Sequence, residues 1–461
     1  MSKMYDFGMI GLGTMGRNLL LNMADHGFNV TGHDRDPEKV ETLRQEGNIV
    51  GFSDLEAFVK SLNKPRAVMM LVPAGQIVDA VIDDLLPLLD EGDLIIDGGN
   101  SYFKDTDRRF QKLREKHIHF FGIGISGGEE GARRGPSMMP GGDQQAYAVV
   151  QDKFEAVAAK VNNEPCVTYL GPGACGHFVK MVHNGIEYGI MQLLSEIYSI
   201  MKGHMGLGAE EIHKAFKSWN EGRLNSFLVE ITADIFNKKD DLSDNMLIDM
   251  ISDQARSKGT GKWTSQLAMD LQVAVPTIDM AVAMRDLSKY KDLRKEMASQ
   301  YRDPVASDDA LRLDDLEQAL FFATIISYAQ GMHMLLQASR EYNYGLNLGA
   351  IARIWRGGCI IRAELLQTIS DAYSKDPDLE HLMLDESICD LLKSAEKGFR
   401  KVICVSTMAG IGTPALSASL DYFDMIRKGN LPSNLIQAQR DYFGAHTYER
   451  NDREGIFHTD W

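Results

Sequence analysis

Phe7-Gly8-Met9-Ile10-Gly11-Leu12-Gly13-Thr14-Met15-Gly16 reads as a short apolar strand that turns tightly through glycines into a helix continuing through Leu19 and Met23. In that context each glycine has a separate task. Gly11 permits the tight turn, Gly13 lets the backbone approach a pyrophosphate, and Gly16 lets helix and strand pack closely, with the helix N-terminus facing the phosphates. A bare turn between strand and helix would account for the glycines alone. It would not account for Asp34, which ends the second apolar run about twenty residues on, where a carboxylate accepts hydrogen bonds from adenosine ribose hydroxyls. Arg35 follows at once and suits a 2′-phosphate or stacking on adenine, whereas Asp36 adds a charge that repels a 2′-phosphate. These residues predict a dinucleotide site with opposed signals about NAD and NADP: NAD preferred, with dual NAD/NADP use open.

Further strand-like runs fall at 29–32, 67–72, 93–97 and 119–125 and alternate with helical patterns, the mark of βαβ units on a parallel sheet. From about Gly176 long amphipathic or wholly apolar helical stretches follow, with almost no β-like alternation. The expected architecture is an α/β Rossmann-type N-terminal domain over 1–175, a large all-α domain over 176–430, and a C-terminal tail over 431–461. Gly206-Leu207 leads to Trp219-Asn220, and Gly345-Leu346 leads to Trp355-Arg356, an offset of roughly 140 residues that points to a helical duplication. The tail, from Leu431-Pro432 to Trp461, is too short for its own core and is expected to dock elsewhere, on another subunit.

A chain of 461 residues exceeds what one hydrophobic core usually supports, and its 44% hydrophobic and 25% charged residues exclude a disordered or fibrous protein. The formal net charge of −16 disfavours nucleic acid and anionic membranes as partners, so an anionic ligand would need basic residues gathered locally. Neither the N-terminus nor any later segment reads as a leader or a membrane-spanning run, which predicts a cytoplasmic location. Five scattered cysteines, Cys166, Cys175, Cys359, Cys389 and Cys404, lack the spacing of a zinc or redox motif and are expected to be reduced.

The chemistry is expected on the stretch Gly176-His177-Phe178-Val179-Lys180-Met181-Val182-His183-Asn184-Gly185-Ile186-Glu187-Tyr188. Lys180, His183, Asn184 and Glu187 share one helical face, while Ile190, Leu193, Leu194, Ile197 and Met201 mark the helix as buried. A half-exposed Lys180–Glu187 salt bridge would be the plain explanation. The alternative is a desolvated base and acid, with the lysine pKa lowered and the glutamate pKa raised, as alcohol oxidation followed by a second proton transfer requires.

Five segments carry a resemblance to a family: Ile95-Ile96-Asp97-Gly98-Gly99-Asn100-Ser101, Ile125-Ser126-Gly127-Gly128-Glu129-Glu130-Gly131-Ala132-Arg133, the Lys180 helix, Lys258-Gly259-Thr260-Gly261-Lys262-Trp263-Thr264, and Gln437-Ala438-Gln439-Arg440-Asp441-Tyr442-Phe443-Gly444-Ala445-His446-Thr447-Tyr448. Over essentially its whole length the chain resembles the decarboxylating 6-phosphogluconate dehydrogenases of the oxidative pentose phosphate pathway. The resemblance implies that Lys180 takes the C3 hydroxyl proton of 6-phosphogluconate as hydride leaves C3. It further implies that Glu187 protonates C1 of the enediol after CO2 departs, that ribulose 5-phosphate is the product, and that no metal is needed.

The resemblance also implies that Ser126, Gly127 and Gly128 hold the substrate carboxylate and that Asn100, His183 and Asn184 meet substrate hydroxyls or nicotinamide. Tyr188, Lys258, Thr260 and Arg285 would take the phosphate, together with Arg440 and nearby His446 from the tail of a partner, so that a homodimer is the smallest working unit. Cofactor contacts are expected from Gly11, Leu12, Gly13, Thr14, Met15, Gly16, Asp34, Arg35, Asp36, Val72, Ala74 and Asn100. The chain departs from familiar NADP-using members, which carry Asn-Arg-Thr where it has Asp34-Arg35-Asp36, a lysine where it has Pro73, and alanine where it has Gly13. β-Hydroxyacid dehydrogenases that do not decarboxylate share the glycine motif and helix lysine; the phosphate cluster and the tail argue against that reading.

Overall fold

Short apolar runs bounded by turn residues lie side by side in a seven-stranded sheet within the computed structural model, which describes residues 4–257, 259–301 and 310–461. The strands are β1 (Phe7–Ile10), β2 (Val30–His33), β3 (Gly51–Phe52), β4 (Ala67–Met70), β5 (Leu94–Asp97), β6 (His119–Ser126) and β7 (Ser137–Gly142), in the order β3-β2-β1-β4-β5-β6-β7. All pairs are parallel except β6 with β7, which run antiparallel from Phe121 opposite Gly142 to Ser126 opposite Ser137. Helices cover both faces, so strands such as β1 and β4 are buried throughout and read as continuous apolar runs rather than alternating ones. Strand order reverses at β1, and the crevice beyond β1 and β4 is where such sheets bind ligands.

The helices of this part are α1 (Thr14–Asp25), α2 (Pro37–Gly47), α3 (Leu55–Lys60), α4 (Gln76–Leu85), α5 (Phe103–Arg114), α6 (Gly128–Arg134) and α7 (Gln144–Val157). Local chemistry sets their ends. Asp36 caps α2 by accepting from the Glu38 N–H, Pro37 occupies the first turn, and Asn48 closes the helix in the left-handed region. Two strands of this sheet were not expected from the sequence, β3 and β7. The first has only two residues, and the second spells Ser-Met-Met-Pro-Gly-Gly, whose proline and glycines suppress a strand signal although β6 supplies the pairing.

Helix α8 (Cys175–Gly203) leaves the sheet and begins the helical part. It is 29 residues long, as is the helix Leu313–Glu341 against which it packs. Each is followed by a left-handed glycine, Gly206 (φ 66°) or Gly345 (φ 62°), then by a shorter helix that ends at or next to Trp219 or Trp355. The echo at an offset of roughly 140 residues is thus a repeated helix–turn–helix unit.

One expectation needs correcting. Leu313–Glu341 is long and apolar enough to cross a membrane by length and composition, yet 83% of its most apolar stretch is buried inside the protein. It is a core helix whose partners are α8 and the helix Glu386–Met408. Nor is the tail without organisation. Its helix Ser433–Gly444 folds against a hairpin of Tyr448–Glu449 and Ile456–Phe457 around the buried Asp441 carboxylate. That carboxylate accepts from Thr447 N at 3.0 Å, His458 Nδ1 at 2.9 Å, Thr459 N at 3.1 Å and Trp461 Nε1 at 2.9 Å. Leu435, Ile436, Tyr442, Phe443 and Trp461 remain exposed. All five cysteines are free thiols.

Candidate functional site

The glycine turn divides its labour as the sequence implies. A Cβ on Gly16 would stand 1.9 Å from the Gly11 carbonyl oxygen, and one on Gly11 would stand 2.5 Å from that of Leu71. Gly11 also needs its positive φ of 93°. Above Gly13 a Cβ would meet nothing within 4 Å, so open space lies where a ligand must approach the backbone. α1 starts there with no acidic residue in its first turn and no side-chain cap. Its N–H groups and the positive end of its dipole are free to face an anion, and the site fits a dinucleotide pyrophosphate. Leu12, Thr14 and Met15 lie on this turn; Val72 and exposed Ala74 follow β4 across the crevice.

Asp34 stands at the end of β2, but its carboxylate is tethered. Oδ2 accepts from Leu12 N at 2.9 Å and Oδ1 from Asp36 N at 3.0 Å, with Lys39 Nζ at 3.5 Å. A carboxylate offers about four acceptor sites, so this one keeps lone pairs free for a further donor such as a hydroxyl. Asp36 is occupied as the cap of α2, a structural duty the sequence reading did not give it. Arg35 reaches across to Asp84 of α4 at 2.7 Å.

The second half of the site is built where α8 crosses β6. A Cβ on Gly124 would lie 2.3 Å from that of Lys180, and one on Gly176 would lie 2.5 Å from the Gly122 oxygen, so glycines let the helix settle directly on the strand. Burial of Phe178, Val179, Val182 and Ile186 contributes about 1.5–3 kcal/mol per side chain and offsets the cost of drying polar neighbours. Lys180 is 6% exposed, His183 0% and Asn184 7%.

No Lys180–Glu187 ion pair forms among the described residues; His183 stands between them. Lys180 Nζ lies 3.5 Å from His183 Nδ1, which is 3.2 Å from Asn184 Oδ1 and 3.9 Å from Glu187 Oε2. His183 Nε2 meets Ser126 Oγ at 3.3 Å. The plain salt-bridge explanation therefore gives way to a buried amine and imidazole followed by a partly buried carboxyl. Burial pushes Lys180 below its ordinary value, opposed by the Glu187 charge, and pushes Glu187 above its own, opposed by Lys180 and Arg285. Burial and the adjacent Lys180 charge hold His183 well below its usual range, so the ring is neutral.

Near Tyr188 a cationic end appears. The Arg285 guanidinium lies 3.5 Å from the Tyr188 ring centroid, and Gly261 packs on the same ring. Thr260 opens the helix Thr260–Asp270, whose first turn carries no acidic residue, so its N-terminus is also receptive to an anion. Lys258 lies outside the described residues. Arg440 and His446 are exposed on the tail, where Arg440 bonds Gln437 and His446 packs on Phe443. Among the described residues no bond or ring contact joins either of them to α8, so one chain does not bring them to the site.

Several supporting residues escaped the sequence reading because their contacts are distant in the chain. Gly127 and Gly128, both at positive φ, open α6, and Gly127 abuts the Gly358 carbonyl. Ile360 N lies 3.5 Å from Ser126 Oγ, and Trp355 packs edge-on against His183. Asn100 is exposed beside a buried network in which Asp97 accepts from Gly99 N and Ser101 Oγ. Buried Arg109 joins Asp97 to Asp79 and to the Gly75 carbonyl, tying the Asn100 loop to the Ala74 loop.

The shifts fix the sign of the pH dependence. A base at Lys180 would act only without its proton, so kcat/KM would rise with pH through its lowered pKa. An acid at Glu187 would act only with its proton, which its raised pKa retains above the ordinary range and loses as pH climbs further. A bell-shaped profile is expected, with limbs belonging to the coupled pair. Glu187→Gln should lose most turnover and the alkaline limb; an unchanged profile in that variant would remove Glu187 from the chemistry.

Comparison with known proteins adds the following. Residues 6–171 match the family model described as the NAD binding domain of 6-phosphogluconate dehydrogenase, and residues 176–461 match its C-terminal domain. The chain is 50% identical to the NADP(+)-dependent, decarboxylating 6-phosphogluconate dehydrogenase of Bacillus subtilis, covering 100% of both chains. It is 51% identical to the decarboxylating 6-phosphogluconate dehydrogenase of Synechococcus elongatus, covering 99% of both. The solved 6-phosphogluconate dehydrogenase of Plasmodium falciparum, described with its cofactor NADP+ and its substrate 6-phosphogluconate, superposes with a TM-score of 0.96 at 46% identity, covering 99% of this chain and 100% of that one.

Proposed function

The chain belongs to the 6-phosphogluconate dehydrogenase family, and on that premise we propose that its α8 site performs the oxidative decarboxylation of 6-phosphogluconate to ribulose 5-phosphate and CO2, with Lys180 as base and Glu187 as acid. The observation that carries the reading is a buried lysine amine without a carboxylate partner, on one helical face with a carboxyl whose proton is retained. A bound nicotinamide dinucleotide supplies the hydride acceptor. Lys180 takes the C3 hydroxyl proton as hydride leaves C3, and together these losses give a ketone β to the carboxylate. As the C1–C2 carbon–carbon bond breaks, the Lys180 ammonium stabilises the negative charge gathering on the C3 oxygen. Glu187 then delivers its proton to C1 of the resulting enediol, the carbon that was C2 of the substrate.

Binding is shared along the same face. Ser126, Gly127 and Gly128 hold the carboxylate, and neutral His183 with Asn184 and Asn100 orient the hydroxyls and nicotinamide. Thr260, Tyr188, Arg285 and Lys258 take the phosphate, completed by Arg440 and His446 of a second subunit. The working arrangement is a cytoplasmic homodimer of units 1–175 and 176–430, with the tail 431–461 laid on the partner. Exposed apolar residues on the tail, and an Arg440 whose hydrogen bond among the described residues goes to Gln437 of its own helix, support this reading.

NAD is preferred or used alongside NADP. Asp34 and Asp36 place negative charge where a 2′-phosphate would stand, and Arg35 is engaged by Asp84. Initial rates with 6-phosphogluconate and either cofactor test this. NAD should give a kcat/KM at least comparable to that of NADP; a value for NADP more than tenfold higher would show that Arg35 governs the site.

A further inference from the structure

The crevice between β2 and α4 holds two cations, and both are already engaged. Lys39 lies 3.5 Å from Asp34, and the Arg35 guanidinium lies 2.7 Å from Asp84 Oδ2. Asp54 adds a third carboxylate to the lining, where it also caps α3 through Ala57 N. Three acids therefore face two bases. α4 carries a row of aspartates with different duties: Asp79 pairs with Arg108 and Arg109, and Asp83 with Lys112, all on α5. Asp84 alone of these turns the other way, across the mouth of the crevice to the loop that follows β2. It sits in the last turn of α4, where the helix dipole also favours a cation.

We propose that Asp84 is a positioning residue for cofactor choice: it latches Arg35 across the crevice and so withholds the guanidinium from an adenosine 2′-phosphate. The inference rests on the dinucleotide reading above and deepens it. A ribose with a free 2′-hydroxyl needs only Asp34 and leaves the latch closed. A 2′-phosphate carries nearly two negative charges near neutral pH, and it must draw Arg35 off Asp84 and then stand near the carboxylate so released. With side chains 78% and 48% exposed, the pair contributes little to folding, so its substitution reports on selection rather than on stability.

The test uses the full-length enzyme and the variants Asp84→Asn, Asp84→Glu, Arg35→Ala and the double variant Arg35→Ala/Asp84→Asn. Asp84→Asn should lower the KM for NADP about three- to tenfold and tighten inhibition by adenosine 2′,5′-bisphosphate similarly, with kcat and the KM for NAD within about twofold. Asp84→Glu should restore the original discrimination. The gain should vanish in the double variant. Equal changes for both cofactors, or a gain that persists without Arg35, would overturn the latch. The wild-type ratio of NAD to NADP use separately decides the preference reading, so an enzyme that favours NADP would contradict that reading while a lowered NADP KM in Asp84→Asn would still support the latch.

Discussion

Replacing Lys180 with alanine or methionine should lower kcat by about 10²–10⁴-fold, the range over which a positioned proton acceptor acts. 6-Phosphogluconate should still bind, because the contacts proposed for its carboxylate and phosphate lie on other residues. The geometry supplies the reason. Lys180 is dried by α8 and β6, lies beside a neutral imidazole, and has no carboxylate to hold its proton. Stopped-flow and steady-state rates on the same preparation, with binding measured by calorimetry, separate turnover from affinity. Near-normal turnover in either variant would require another base, and loss of binding equal to loss of turnover would make Lys180 an anchor for the substrate.

The second large effect concerns the tail. Arg440→Ala should raise the KM for 6-phosphogluconate by about 10- to 100-fold, since a bond to a charged group contributes about 1.5–3 kcal/mol. A mixture with Lys180→Ala then distinguishes the two possible arrangements. If the tail acts across the dimer, a mixed dimer holds one intact site, combining one subunit's Lys180 with the other's Arg440. Equal subunits combined at random would then regain about a quarter of wild-type sites. If each tail serves its own chain, every site in the mixture lacks one residue and no activity returns. The four-donor clamp on Asp441 holds the segment in which Ala445 and Thr447, both at positive φ, flank His446.

Much of this was readable from the sequence because the deciding residues are local. The glycine turn, Asp34 and the Lys180 face are each set by spacing within one or two elements, and the structure places them as that spacing implies. What was missed depends on contacts between distant segments. β7 owes its pairing to β6 despite Pro140, and Trp355 and Ile360 reach His183 and Ser126 from more than a hundred residues away. The Arg35–Asp84 pair joins the loop after β2 to the last turn of α4, which no sequence period connects. Leu313–Glu341 shows the opposite failure: its composition permits a membrane span, and only the packing around it assigns it to the core.

The most direct test is to follow CO2 release and nicotinamide reduction together from 6-phosphogluconate with the unmodified enzyme. One CO2 for each reduced nicotinamide, with ribulose 5-phosphate accumulating in step, is the predicted result. Reduced nicotinamide without CO2 would show that the site oxidises but does not decarboxylate, and would contradict the roles given to Lys180 and Glu187 after hydride transfer.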